Sequence, residues 1–141
     1  MSLDDYINEH TTKPFEWGKN ACVTFCAGAI TVATGIAPLR HIKKWNNAFT
    51  GKKALKKAHH KNFFEAFDVR FRQHENLNKL KDGDVVLKKN PHDKSFSEYS
   101  ALVYYKGKLI GIEKNGLITF PVDSGDFYFN VRSLRLRGRH G

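Results

Sequence analysis

The chain changes its hydrophobic period near Leu80: before it, apolar positions recur at helical spacing, and after it they alternate or come in short runs. Leu3 to His10 predicts a short helix with Asp4 and Asp5 in its first turn, followed by a Thr11-Thr12-Lys13-Pro14 loop and placed to cover one end of the core. The most apolar helix comes next. Asn20 is a good N-cap, because its side-chain oxygen accepts from the unpaired N–H groups of a first turn, and it leads into a run opening at Cys22. Gly35 suits the left-handed position after a helix and Pro38 cannot continue the ladder, so the helix stops there. Cys22, Cys26, Ala29, Ile30 and Ala33 share one face, with Phe25 and Val32 close to it. The small residues Ala27, Gly28 and Ala29 suit close contact with a neighbouring sheet. This is the pattern of a central helix buried on most sides.

Residues 39–75 predict a helical subdomain. Leu39, Ile42, Trp45 and Phe49 fall at helical spacing over Leu39 to Phe49, with Arg40, Lys43 and Lys44 facing out, and Thr50-Gly51 breaks the chain. From Lys52 to Asn62, Ala54, Leu55 and Ala58 form a narrow stripe flanked by lysines, and Phe63, Phe64, Phe67 and Phe71 continue with a stronger apolar face. His59 and His60 point to different sides of that helix, and His74 lies in a solvated linker. Beyond it, Lys81-Asp82-Gly83-Asp84 is a turn, Val85 to Leu87 a strand, and Lys88 to Phe96 a polar loop. Tyr99 to Tyr105 and Leu109 to Ile112 form a hairpin about Lys106-Gly107-Lys108; Lys114-Asn115-Gly116 turns into Leu117 to Val122, and Phe127 to Arg132 alternates as a last strand. Helices first and an antiparallel meander afterwards give an α+β fold.

At 141 residues and 40% hydrophobic content the chain supports one domain with one core. No apolar run approaches the roughly 20 residues of a membrane span, and Met1 to Asp5 lack the basic start of a signal peptide, so a soluble protein made in the cytoplasm is expected. Cys22 and Cys26, at i and i+4, are poorly aimed at each other for a disulfide. None of the seven histidines is spaced to complete a zinc site with them, so neither a metal nor a cofactor is expected. A thiol in the first turn of a helix faces unpaired N–H donors and the positive end of the dipole, which favour thiolate and make a nucleophile; as a small hydrophobe the same residue can simply pack.

The run Pro14-Phe15-Glu16-Trp17-Gly18, a short polar linker, and Cys22 opening an apolar helix resembles the entry to the catalytic domain of NlpC-type cell-wall cysteine peptidases, a papain-like family. It resembles more closely a branch of small proteins from tailed phages and prophages, in which Pro-Phe-x-Trp-Gly precedes an Asp-Cys pair and the helix closes with Thr-Gly. The resemblance continues at Gly83 to Leu87, Ala101 to Val103 and Asn115 to Pro121, in the family's order. It implies a papain-like NlpC-type core over 13–36 and 80–132, with 39–75 as a helical insertion and 133–141 as a basic tail.

The resemblance also implies partners for Cys22, and these are missing from their places. The family's histidine begins the strand leading into the hairpin, where this chain has Ser100 or, with a one-residue slip, Ala101. The return strand offers Gly111 where an orienting polar group belongs, with Glu113 nearby, and Ala21 replaces the branch's Asp. His92, in the preceding loop, is the histidine able to swing toward Cys22. The implied picture is a degenerate peptidase fold serving as a virion or tail-assembly component, made in the host cytoplasm and docked on other phage tail proteins. An active cysteine hydrolase of peptidoglycan is the first alternative.

The formal charge of +10 implies attraction to a polyanion or an acidic partner. Lys52, Lys53, Lys56, Lys57 and Lys61 coat the middle helices, and Arg132, Arg135, Arg137 and Arg139 surround Leu134 and Leu136 in the tail. Such a tail suits strand addition, Arg–carboxylate contacts or phosphate binding. Nucleic-acid binding is therefore a second alternative, although no helix-turn-helix, RNA-recognition or zinc-finger pattern accompanies the charge.

Overall fold

The structure, a computed structural model, describes residues 1–11, 22–40, 42, 48–92, 97–113 and 116–134. Four helices, α1 (Leu3–His10), α2 (Cys22–Thr34), α3 (Ala48–Lys57) and α4 (Phe63–Asp68), precede or flank six strands. These are β1 (Phe71–His74), β2 (Val85–Lys89), β3 (Tyr99–Tyr105), β4 (Lys108–Glu113), β5 (Gly116–Pro121) and β6 (Phe127–Leu134). The strands form one antiparallel sheet in the order β1-β6-β2-β3-β4-β5, so the α+β class is as expected.

Alternation along the strands divides the side chains between two faces. Val85, Leu87, Ala101, Val103, Ile110, Ile112, Phe129 and Val131 join one buried cluster with Phe25, Cys26, Ala29 and Ile30 of α2 and with Phe63, Ala66 and Phe67 of α4. On the other face, Val86, Leu102, Leu109 and Tyr128 pack with Leu77, Leu80, Tyr104, Phe120 and Val122. α2 therefore lies across the middle of the sheet on its first face, against β3, β4 and β6.

Local sequence explains the ends of these elements. Ser2 caps α1 reciprocally: its Oγ accepts from the Asp5 N–H at 3.1 Å, and the Asp5 carboxylate accepts from the Ser2 N–H at 3.4 Å. α2 stops where Gly35 adopts φ +82°, its N–H donating to Thr31 O. Asn62 Oδ1 accepts from the Glu65 N–H at 2.9 Å and starts α4. The hairpin between β3 and β4 turns on Lys106 and Gly107, both at positive φ, in the manner of a two-residue loop.

Several expectations are corrected. Leu39 does not start a helix, because Pro38 to Arg40 form a turn in which Arg40 donates to Ala37 O and Ile42 to Leu39 O. Thr50-Gly51 is not a break, since α3 runs through both. α3 ends at Lys57, so His59 and His60 lie in the connection to α4, where His60 Nδ1 stands 3.7 Å from Glu65 Oε1. Phe71 does not continue the phenylalanine helix: α4 ends at Asp68, and Phe71 opens β1, whose backbone groups pair with β6. The close neighbour of Gly28 is Tyr6 of α1, not the sheet. Asn20, Lys43, Lys44, Trp45 and the 135–141 part of the tail lie outside the described residues.

Candidate functional site

Cys22 is the first residue of α2 and is half-buried, while Cys26, one turn on, is completely buried. Burial, and next the neighbouring Cys22, push the Cys26 thiol pKa well above its ordinary value, so Cys26 is a packing group. α1 holds the first turn of α2 in place. The Tyr6 hydroxyl donates to Phe25 O at 2.8 Å, the Tyr6 ring stacks on Phe25 at 5.6 Å, and the buried His10 packs against both rings with Nδ1 2.8 Å from Tyr6 O. The sequence signal for His10 is its spacing from Tyr6 and Ile7 along one helix face.

A cleft of about 420 Å³ opens beside Cys22. Its cause is a splitting of the sheet. β3 and β4 pair only over Val103–Tyr105 and Lys108–Ile110, while the rest of β3 stays on β2 and the rest of β4 stays on β5. The opening is lined by Cys22, Ala101 and Ile112 on the α2 side, and by Ser100, Leu102, Ile118 and Phe120 on the other. Lys88, Lys89, Asn90, Pro91 and Gly111 also line it.

The register places Ser100 and Ala101, the two residues that the resemblance set against a histidine, on opposite faces of the sheet. Ala101 is paired with Leu87, belongs to the α2-side cluster and lines the cleft together with Cys22. Ser100 points to the opposite face, where its Oγ accepts from Asn90 Nδ2 at 2.8 Å. Gly111 lies beneath Leu102, close enough that a Cβ there would come within 2.7 Å of Leu102 Cδ2. His92 is exposed in the turn after β2, its N–H donating to Asn90 Oδ1, and the cleft beside Cys22 is lined by other residues.

The basic residues are dispersed. Lys52, Lys53, Lys56 and Lys57 are exposed on α3 opposite the buried Ala54 and Leu55, and Lys61 is exposed in the next turn. Arg132 is structurally engaged: its Nη2 donates to Asp82 O at 2.6 Å and its Nη1 lies 3.5 Å from Asp84 Oδ1. Arg135, Arg137 and Arg139 lie outside the described residues.

Asp84, read from sequence as a turn residue, is a buried anchor. Its carboxylate accepts from the Lys81 N–H at 2.9 Å and the Val131 N–H at 3.2 Å, fixing the start of β2 to β6. Burial raises its pKa, with the Lys81 and Val131 hydrogen bonds and the charges of Arg132 and His74 pulling the other way. His74 is not a solvated linker residue either: it ends β1, stacks on Tyr128 with ring centroids 5.4 Å apart, and has Nε2 buried without a hydrogen-bond partner. Among the described residues no group of three His, Cys, Asp or Glu side chains is placed to hold a metal ion, and no helix is long and apolar enough to cross a membrane.

The model of one protein family, DUF6950, described as a domain of unknown function, matches residues 1–131. The chain belongs to the DUF6950 family. Every residue lining the cleft falls inside the DUF6950 domain, as does the Asp84 anchor, whereas the arginines at 132, 135, 137 and 139 lie beyond the match. No curated protein and no solved structure matches the chain.

Proposed function

We propose that this DUF6950 protein is a component of a tailed-phage virion or of its tail-assembly machinery, built on an NlpC-type peptidase core that no longer turns over. The phage role rests on the resemblance of the run around Cys22, and the loss of turnover is supported by the cleft that Cys22 and Ala101 line together. A thiol hydrolase needs an imidazole within hydrogen-bond reach of the sulfur and a polar group to orient that ring. Here the cysteine opens the helix that crosses the sheet, as in the resembled peptidases, but β3 contributes Ala101 to the α2 side of its cleft and Gly111 lies under Leu102 on β4. Neither residue can accept or hold a proton.

The protein then acts by binding, in the tail, to other tail proteins. Mass spectrometry of purified virions tests this: a fixed, small number of copies per particle is expected, co-purifying with tails separated from capsids. Absence from both particles and tail intermediates would overturn it.

A further inference from the structure

The two outer edges of the sheet are built differently. β1 is four residues long, exposes Arg72 and Gln73, and has an irregular register against β6 between Phe71 and Arg72, all of which discourage a further strand. β5 has six residues, Gly-Leu-Ile-Thr-Phe-Pro, without a charge, and Leu117, Ile118 and Phe120 are only half-buried. Native edges of that composition are normally covered.

The register fixes which backbone groups of β5 face outward. Tyr104 exchanges hydrogen bonds with the β2 side, through Gly83 N–H to Tyr104 O and Tyr104 N–H to Asp84 O, so Val103 and Tyr105 address β4. Ile110, opposite Val103, then addresses β3, and Leu109 and Gly111 address β5, where they meet Phe120 and Ile118. That leaves Leu117, Thr119 and Pro121 aimed at the open side. Pro121 has no N–H to lose, which is where proline is tolerated on an edge. Leu117 and Thr119 each present one N–H and one C=O, with no strand paired to them among the described residues.

We propose that β5 receives an extended acidic segment of a partner protein as an added strand, held by the outward backbone groups of Leu117 and Thr119. The acidic character follows from the cations at one end of the edge. Lys88 Nζ lies 5.6 Å from the centre of the Phe120 ring, and the exposed Lys108 is paired with Pro121. Carboxylates on the incoming strand beside Phe120 and Pro121 meet these ammonium groups on the two faces of the sheet, although Asp123 just beyond the strand limits the field there. A second copy of this chain is the poorer occupant, because each brings a formal charge of +10. The inference supplies a surface for the docking role proposed above, but needs neither a silent Cys22 nor a place in the virion.

The test uses the full chain, labelled with ¹⁵N, and an acetylated and amidated synthetic peptide, Val-Thr-Val-Thr-Glu-Glu-Val, whose adjacent glutamates point to opposite faces of an added strand. The expected result is saturable shifts at the Leu117 and Thr119 amides, with slowed hydrogen exchange at both, and no such change with the peptide carrying lysine for glutamate. Thr119→Pro deletes an outward N–H while leaving the bonds to β4 intact, and should weaken binding about tenfold or more. Shifts confined to the α3 lysines, equal binding of the lysine peptide, or full affinity in a folded Thr119→Pro protein would each overturn the proposal. If Thr119→Pro fails to fold, the amide map of the unsubstituted protein decides. Concentration-dependent shifts at the same amides without peptide would identify a second copy as the occupant and also overturn it.

Discussion

Replacing Gly28 by alanine tests how α1 seats the cysteine helix, because two effects of known sign oppose each other. Alanine is the better helix former, and in a helix with open space around it the change would stabilise by about 1 kcal/mol. A Cβ on Gly28, however, would stand 2.1 Å from Tyr6 Oη, 2.7 Å from Cζ and 2.9 Å from Cε1. Tyr6 is only 9% exposed and is held by its hydrogen bond to Phe25 O and by contacts with Phe25 and His10, so the ring cannot move aside without giving these up. Overpacking costs about 1–3 kcal/mol and the lost hydrogen bond about 1 kcal/mol. After the propensity gain, a net loss of about 2 kcal/mol remains, or roughly 8 °C in melting temperature for a chain of this size. Urea denaturation followed by circular dichroism measures it. Tyr6→Phe removes the nearest atom and leaves Cζ, so the double variant should recover part of the loss, with a coupling of about 1 kcal/mol. A Gly28→Ala protein as stable as the original, or more so, would refute the described seat of α1 on α2.

The two thiols should differ in reactivity. A disulfide reagent should modify Cys22 in the native protein and reach Cys26 only in roughly 6 M guanidinium, and native Cys22→Ala should stay unmodified; rapid native labelling of both would contradict the burial of Cys26. The Asp84 carboxyl, with its pKa raised in the fold above the ordinary 3.8, contributes most stability below that value and loses it as pH rises through the folded pKa. The stability advantage of the native protein over Asp84→Asn should therefore be larger near pH 3.5 than near pH 7, as read by denaturant titration, and an advantage growing with pH would show the sign to be wrong. The α3 lysines form a solvated face, so retention on duplex DNA at about 0.15 M salt should be weak and abolished equally by heparin. Retention that heparin cannot displace would point to a nucleic-acid ligand instead.

The helix bounds at Leu3–His10 and after Cys22, and the strand Tyr99–Tyr105, were legible in the sequence because caps, periodicity and turn residues agreed there. β1 was not. Phe71 is the one apolar residue in Phe-Arg-Gln-His, and its strand bonds come from β6, more than 50 residues away. A separation of 47 residues likewise hid Asp84, whose turn position was readable but whose burial depends on Val131 and Arg132. At the site, Cys22 in the first turn of its helix could be read from the pattern, whereas Ser100 and Ala101 came into view only through the resemblance to NlpC-type peptidases. Which of the two meets α2 required the register with Leu87, and the cleft required the parting of β3 from β4, which no local pattern announces.

Catalytic silence at Cys22 is the claim on which the functional reading turns, and release of soluble peptides from purified cell wall tests it most directly. Incubated at equal concentration, the native protein and Cys22→Ala should release the same background amount, with no product distinguishing them. Peptide fragments produced by the native protein and absent with Cys22→Ala would show a working nucleophile, and with it a base delivered to the sulfur from somewhere other than Ala101.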